Sequence, residues 1–340
     1  MEKYSQWRDP GTGIQPFLPP VPSRTATQGP GYLARRYLLG PILCILRLIL
    51  LLVPLLLFGL TELLIFIIPV PVLQRAIHRP LTAVTARLTL LLAGFWSIPS
   101  RIVTLRKGRS IAKKVEPIRS GDLLITNHTS YVDILYLMFR ALGIPSRYDP
   151  VFTRCYTDSP KVSLVSPWEA MRTCGQVYEK TPATAMTLEE ACSMARRKHQ
   201  GPVVVFPEGT TSNGRALLAF TQVLSGVQGA EGLGEGKGKV GVHALILRYT
   251  YTITCPSYTV GNMALHALHI LTQSVNRLSV HRVASQDIVE IDREKCEGGF
   301  GEEIAKVMGG TGRLRRCGLG PWEKGTFLSF YHSQSKASSK

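Results

Sequence analysis

Asn127 to Asp133 reads NHTSYVD, with His128 directly after an apolar run and Asp133 five positions further on, where the pattern turns helical. A turn between the two can bring the carboxylate beside the imidazole. A histidine with a pKa near its ordinary value of about 6.5 accepts a proton from an alcohol close to neutral pH. A carboxylate on its other ring nitrogen fixes the tautomer and stabilises the imidazolium. His128 and Asp133 are therefore a candidate general base and its orienter. No serine nucleophile is required if the acyl group to be attacked arrives already activated. The same spacing also suits a strand-end histidine and a helix-capping aspartate.

A second motif, VVVFPEGTTSNG at Val203 to Gly214, runs from an apolar strand into Pro207, Glu208 and Gly209 and then a row of hydroxyl and amide groups. Gly209 permits close backbone approach, while Thr210, Thr211, Ser212 and Asn213 offer donors to phosphate or glycerol oxygens. Glu208 is placed to hydrogen-bond a substrate hydroxyl.

These motifs need a scaffold, and the surrounding pattern supplies one. Asp122 to Thr126 reads as a short buried strand, Val132 to Leu142 as a helix, Ala183 to His199 as a helix ended by Gly201-Pro202, and Val203 to Phe206 as a strand. His243 to Tyr249 is a further strand, Met263 to Val275 a helix and Gln286 to Ile291 a strand. The alternation predicts an α/β fold, a sheet flanked by helices, over residues 101–330. Gly229 to Gly241 is glycine-rich but lacks the complete phosphate-loop pattern, because Glu231 stands where the first Gly belongs and no Ser or Thr follows Lys237. It reads as a flexible insertion.

The N-terminal third has another character. Residues 1–36 are rich in Pro, Gly, Ser, Thr and Gln and read as a disordered arm; residues 331–340 read as a disordered tail. From Tyr37 to Val72 the chain is almost wholly apolar, interrupted mainly by Arg47, Thr61-Glu62, Pro41 and Pro54. A single span needs about 20 residues, so this stretch is long for one span and short for two. Arg35 and Arg36 before it and Arg75, His78 and Arg79 after it place positive charge on both flanks. That balance favours a membrane hairpin over a kinked span. Over residues 73–100 a second apolar stretch, Leu81 to Pro99, carries Arg87 near its middle. A central Arg costs about 2.5 to 3.5 kcal/mol on insertion, so this segment reads as an interfacial amphipathic helix.

Composition narrows the chemistry. Forty Lys and Arg against 23 Asp and Glu give a formal charge of +17, which favours anionic partners such as phospholipid headgroups or nucleotides. The basic residues are spread along the chain without a nucleic-acid-binding motif. Seven dispersed cysteines without CxxC spacing argue against a disulfide framework or a zinc site and for a reducing, cytosol-facing environment. There is no HExxH motif for a metal and no GxSxG elbow for a serine hydrolase.

The HxxxxD block followed about 75 residues later by FPEGT resembles the glycerolipid acyltransferase family, which includes lysophosphatidic acid and lysophosphatidylcholine acyltransferases. The resemblance covers roughly Asp122 to Ser257. It implies a glycerol-phosphate acyltransferase-like fold, with His128 and Asp133 catalytic and Glu208, Gly209, Thr210 and Thr211 at the substrate's glycerol and phosphate end. Between the two motifs the family carries a glycine, an apolar strand and an arginine that binds the acceptor phosphate. The corresponding segment here is Cys174-Gly175-Gln176-Val177-Tyr178-Glu179-Lys180, with Lys180 one place nearer than the arginine. Lys180 and Arg215 are thus the candidates for neutralising phosphate. A fourth block resembles Val242 to Tyr249, without the family's proline and with the LRY ending of the lysophosphatidylcholine branch. The resemblance further implies transfer from acyl-CoA, as co-substrate, to a lysophospholipid, with membrane lipids as partners, no other cofactor, no metal and no nucleic acid. It implies an endoplasmic reticulum or lipid-droplet membrane with the catalytic domain cytosolic, and the donors for the oxyanion are expected from backbone N–H groups at the start of the helix after His128. A catalytically silent scaffold of the same fold is the alternative, suggested by the altered middle block.

Overall fold

The computed structural model describes residues 3–22, 30–105, 116–140, 149–227, 240–289, 291 and 299–338. Most of the glycine-rich segment Gly229 to Gly241 lies outside the described residues.

Helix α1 (Pro30–Ala34) continues through a π-helical turn at Arg35–Leu39 into α2 (Gly40–Leu50) and then α3 (Leu52–Ile67). Pro41 lies directly after the π-helical turn, a local widening of the helix where the regular backbone ladder is already interrupted. Pro54 has no N–H to offer the carbonyl of Leu50, and the helix breaks at Leu51. Gly31–Ile67 together form a rod of 37 residues, about 55 Å long at 1.5 Å per residue. The rod is apolar and long enough to cross a membrane. Its flank is exposed along its length, as at Leu38, Ile45, Ile49, Leu56 and Phe66.

The chain reverses at Ile68-Pro69-Val70, where Pro69 forces Ile68 into extended backbone. Helix α4 (Pro71–Leu92) then runs back along α3. Gln74 Nε2 caps the end of α3 by donating to the carbonyls of Ile65 and Ile68, and His78 lies 3.5 Å from Glu62. The turn thus lies at the far end of 37–72 rather than near its middle: the expected hairpin has one limb there and its second limb in the segment read as a separate interfacial helix. Thr61 and Glu62 do not break α3 because the Thr61 hydroxyl donates to the carbonyl of Leu57, four residues back. The rod also touches the globular part near its middle. Buried Arg47 donates to the carbonyls of Leu271, Gln273 and Ser274.

The globular part is built on a mixed seven-stranded sheet. In chain order its strands are β1 (Ser100–Val103), β2 (Leu123–Thr126), β3 (Val151–Cys155), β4 (Val162–Val165), β5 (Val203–Val205), β7 (Val242–Thr250) and β8 (Arg277–Val283). The spatial order is β1-β8-β7-β2-β5-β3-β4, and a small separate pair joins β6 (Ala216–Leu217) to β9 (Arg315–Arg316). LLIT and VVV are continuous apolar runs because β2 and β5 are central parallel strands covered on both faces. One layer holds α4, α5 (Tyr131–Arg140), α6 (Pro167–Arg172) and α8 (Met263–Leu271); the other holds α7 (Leu188–Arg197), α9 (Ser285–Val289) and α10 (Gly299–Gly312). Thr187 and Glu190 form a reciprocal capping box that starts α7.

Two expectations are overturned here. Gln286 to Ile291 is not a strand: residues 285–289 are helix α9, and the strand is Arg277–Val283, whose charged alternate positions mask its period. The arm is not disordered over residues 3–22. Trp7 and Phe17 are buried against Leu218 and Phe327, and Phe327 belongs to the last helix, α11 (Pro321–Ser338), which also runs through most of the expected tail. Two large aromatic side chains supply the apolar area that a Pro- and Gly-rich average conceals.

Candidate active site

β2 ends at Thr126, and the next two residues leave the sheet edge with their side chains fixed. Asn127 locks the exit by exchanging hydrogen bonds with the backbone of Leu247, through its Nδ2 at 3.0 Å and Oδ1 at 2.7 Å. His128 then stacks on Phe206, with ring centroids 4.1 Å apart. Phe206 follows β5, the parallel neighbour of β2, so the two motifs meet because their strands are adjacent.

Asp133, in the first turn of α5, is fully buried and lies 3.2 Å from His128 Nδ1. Its Oδ2 also accepts from the N–H groups of Thr129 and Ser130 at 2.7 and 2.8 Å, and its Oδ1 accepts from the Tyr249 hydroxyl at 2.5 Å. Burial, then the neighbouring Asp133, pushes the Tyr249 phenol well above its usual range, so it stays a donor. The carboxylate is held at four points, and the imidazole is left to present Nε2 outward. This spends the N–H groups expected to serve an oxyanion: those of Thr129 and Ser130 are occupied by Asp133.

Glu208 is also fully buried. Its Oε1 accepts from the N–H of His128 at 2.9 Å and its Oε2 from that of Leu218 at 3.0 Å. It ties the two motifs together rather than reaching a substrate hydroxyl, contrary to expectation. Burial pushes its carboxyl up to about 8, against the two N–H donors, which favour the anion. Gly209 adopts a φ of +63°, where a Cβ would also meet Thr221 Cγ2 at 2.9 Å, so only glycine suits the turn.

A pocket of about 50 Å³ opens against His128, walled by Thr153, Gly175, Tyr178, Gly209 and Thr210 among others. The Thr210 hydroxyl is buried without a hydrogen-bond partner among the described residues. Thr211 points elsewhere, its carbonyl and hydroxyl accepting from Lys324 Nζ at 2.6 and 3.2 Å. Lys180 is exposed, and Arg215 is exposed with its guanidinium donating to the Tyr251 hydroxyl at 3.2 Å. Neither lines the pocket. Among the described residues no group of His, Cys, Asp and Glu could hold a metal ion.

Comparison with known proteins bears on this arrangement. The acyltransferase family profile matches residues 110–227. A Schizosaccharomyces pombe protein assigned as a lysophosphatidic acid:oleoyl-CoA acyltransferase is 30% identical over 223 residues, covering 65% of this chain and 67% of that protein. The chain belongs to the glycerolipid acyltransferase family. The family likeness extends to the Arabidopsis thaliana lysophospholipid acyltransferase LPEAT1, 31% identical over 221 residues, or 62% of this acyltransferase chain and 49% of the plant protein. The crystal structure of the 1-acyl-sn-glycerophosphate acyltransferase PlsC from Thermotoga maritima aligns with 78% of this chain and 97% of its own, at 15% identity and a TM-score of 0.37.

Three residues of this acyltransferase escaped sequence reasoning. Lys324 comes from α11, more than a hundred residues beyond the second motif, and is fully buried against Thr211; burial pushes its pKa down to about 7. Tyr249 was visible only as the last letter of LRY. Cys174, directly before the middle-block glycine, places its Sγ 3.4 Å from His128 Nε2. No local pattern announces a lysine or tyrosine that acts across the fold. The N-terminal arm likewise reaches the second motif, with Asn213 bonded to the carbonyls of Gln15, Pro16 and Leu18.

Proposed function

We propose that this acyltransferase moves a fatty acyl group from acyl-CoA to the hydroxyl of lysophosphatidic acid or a related lysophospholipid. The observation that carries this reading is His128, with Nδ1 on a four-times-bonded Asp133 and Nε2 toward the pocket. In the proposed reaction His128 Nε2 takes the proton of the acceptor hydroxyl while its oxygen forms a bond to the thioester carbonyl carbon. The tetrahedral intermediate collapses with cleavage of the carbon–sulfur bond. The imidazolium returns its proton to the departing coenzyme A thiolate, which leaves the catalyst unchanged. The buried Thr210 hydroxyl, with no partner of its own, is the donor set aside for a substrate oxygen. The names of the two relatives support the lysophospholipid class of acceptor.

The apolar rod supports a membrane-bound enzyme. Because the rod is tied to the globular part through Arg47 near its middle and, near its far end, through Glu62 and His78 of α4, it lies along the protein with its exposed flank in the lipid. An active site held at that surface avoids drawing acyl chains into water, at about 0.8 kcal/mol per methylene. We place the catalytic domain on the cytosolic face of the endoplasmic reticulum or of lipid droplets. Purified protein supplied with isotope-labelled acyl-CoA and a panel of lysolipids should yield labelled diacyl phospholipid, strictly dependent on coenzyme A thioester. Absence of any labelled product across the panel would favour the silent scaffold.

A further inference from the structure

The sheet carries a second polar concentration on the face opposite α4, α5 and α8. Arg101 of β1 and Ile246 of β7 both pair in register with His281 of β8, so all three share the face that holds the buried Ala244 and Ile246. Arg248 lies two residues further along β7 on that same face. The end of α10 closes the group: Gly312 packs so tightly on Ile246 that a Cβ there would sit 3.0 Å from its Cγ2, which brings Arg313 over the strands. His281 Nδ1 is buried without a partner among the described residues. Its charged neighbours are Arg248, Arg101 and Arg313, which together with burial hold its pKa below 6.5, and no carboxylate is among them. Other arginines of the domain do pair with carboxylates, as Arg316 does with Glu302 and Arg154 with Glu169. Among the described residues no carboxylate pairs with any of these three arginines. Like charges gathered on a sheet face repel one another, and an anion relieves that repulsion.

Position identifies the anion. The apolar rod docks on α8 and α4, in the opposite layer, so lipid covering the rod does not reach this face. The ligand therefore arrives from water. β8 lies two strand spacings from β2, roughly 10 Å, with β7 between them. Leu245 pairs with Thr126, so Arg248 stands level with the His128 end of the sheet. A ligand with several phosphates on one end and a flexible arm reaching over the sheet edge to His128 fits both ends.

Resting on the acyl-CoA reading above, we propose that Arg101, Arg248, Arg313 and His281 bind the phosphorylated nucleotide end of coenzyme A while its thioester reaches His128. Guanidinium groups match phosphate oxygens as two-pronged donors, and His281 Nδ1 offers one more polar atom. The test measures binding of coenzyme A and of 3′-dephospho-coenzyme A to the detergent-solubilised full chain by equilibrium dialysis. Arg248→Met and Arg101→Gln should each weaken coenzyme A binding about ten- to a hundred-fold, as expected for one lost charged hydrogen bond. They should raise KM for acyl-CoA in parallel and leave KM for the lysophospholipid unchanged. Wild-type coenzyme A affinity in both variants, with turnover intact, overturns the site and leaves the donor reading standing. Reduced binding to phosphatidylserine vesicles with unchanged coenzyme A affinity assigns the cluster to lipid and also overturns it. If the wild type binds no coenzyme A and transfers nothing from acyl-CoA, the donor reading fails and takes this site with it.

Discussion

Replacing Asp133 by Asn removes a charge from the centre of the site while nearly preserving its shape. Asp133 Oδ2 accepts from His128 Nδ1, Thr129 N and Ser130 N, and Oδ1 from the Tyr249 hydroxyl. An asparagine with its oxygen in the Oδ2 place keeps the first three, and its amide then faces a hydroxyl that can rotate to accept. The tautomer of His128 survives, so the loss is confined to the charge that stabilises the imidazolium as the proton arrives. A hydrogen bond to a charged partner is worth about 1.5 to 3 kcal/mol, and at 1.36 kcal/mol per factor of ten kcat should fall about ten- to 150-fold. Bare Coulomb attraction at the 3.2 Å separation, with an effective dielectric constant of 20, sets an upper bound of about 5 kcal/mol. Because Asp133 is fully buried, KM for either substrate should hold steady. Initial rates with labelled acyl-CoA over a matrix of both substrates separate the two constants. A kcat within twofold of wild type, or a loss carried by KM, refutes the assignment of Asp133 as the group that orients and charges against His128.

Gly209→Ala should lower stability by about 1 to 3 kcal/mol, because its φ of +63° and the 2.9 Å approach to Thr221 both oppose a side chain; a thermal midpoint equal to wild type would show that the turn relaxes. Cys174 Sγ lies 3.4 Å from His128 Nε2, but burial, then the Asp133 charge, pushes its thiol well above the usual range, so in the folded protein it should resist N-ethylmaleimide. Incubation with the reagent followed by peptide mass mapping should find Cys174 unmodified, and rapid modification there would show that the site opens. His78 has its pKa raised above 6.5, first by its hydrogen bond to Asp149 and, against burial, by the charges of Asp149 and Glu62. A raised folded-state value means stabilisation fully present below the unfolded value and lost as pH climbs through the folded one. The gap in thermal midpoint between wild type and His78→Gln should therefore be widest near about pH 6 and narrow toward about pH 9; a gap that widens with pH contradicts the ion-pair account of how α3, α4 and the globular part are fastened.

The candidate site was legible where chain neighbours suffice. His128 and Asp133 are joined by a single turn, and Phe206-Pro207-Glu208-Gly209 follows a strand whose apolar run is unmistakable, so both motifs and the parallel strands under them could be read directly. Roles set by partners distant in the chain could not. Glu208 looked like a substrate contact because its sequence position exposes it at a strand end, yet the backbone of His128 and Leu218 takes both its oxygens. Lys180 and Arg215 matched a charge requirement by order along the chain, whereas the buried basic group beside the second motif is the Lys324 amine of the last helix. The apolar stretch hid its own turn for a related reason. Helical backbone tolerates Thr61 and Glu62, and the reversal waits for Pro69 and Pro71, which local hydropathy does not register. The arm misled through averaging, since Trp7 and Phe17 fold it onto α11 despite their polar neighbours.

The central claim is that His128 takes the acceptor's proton, and the most direct measurement is mass-spectrometric turnover by His128→Ala against wild type, both purified free of host acyltransferases and supplied with acyl-CoA and lysophosphatidic acid. General-base catalysis contributes about 10² to 10⁴-fold, so the variant should remain folded and membrane-bound, bind coenzyme A as wild type does, and form diacyl product at no more than about a hundredth of the wild-type rate. Wild-type turnover by the folded variant would contradict the account.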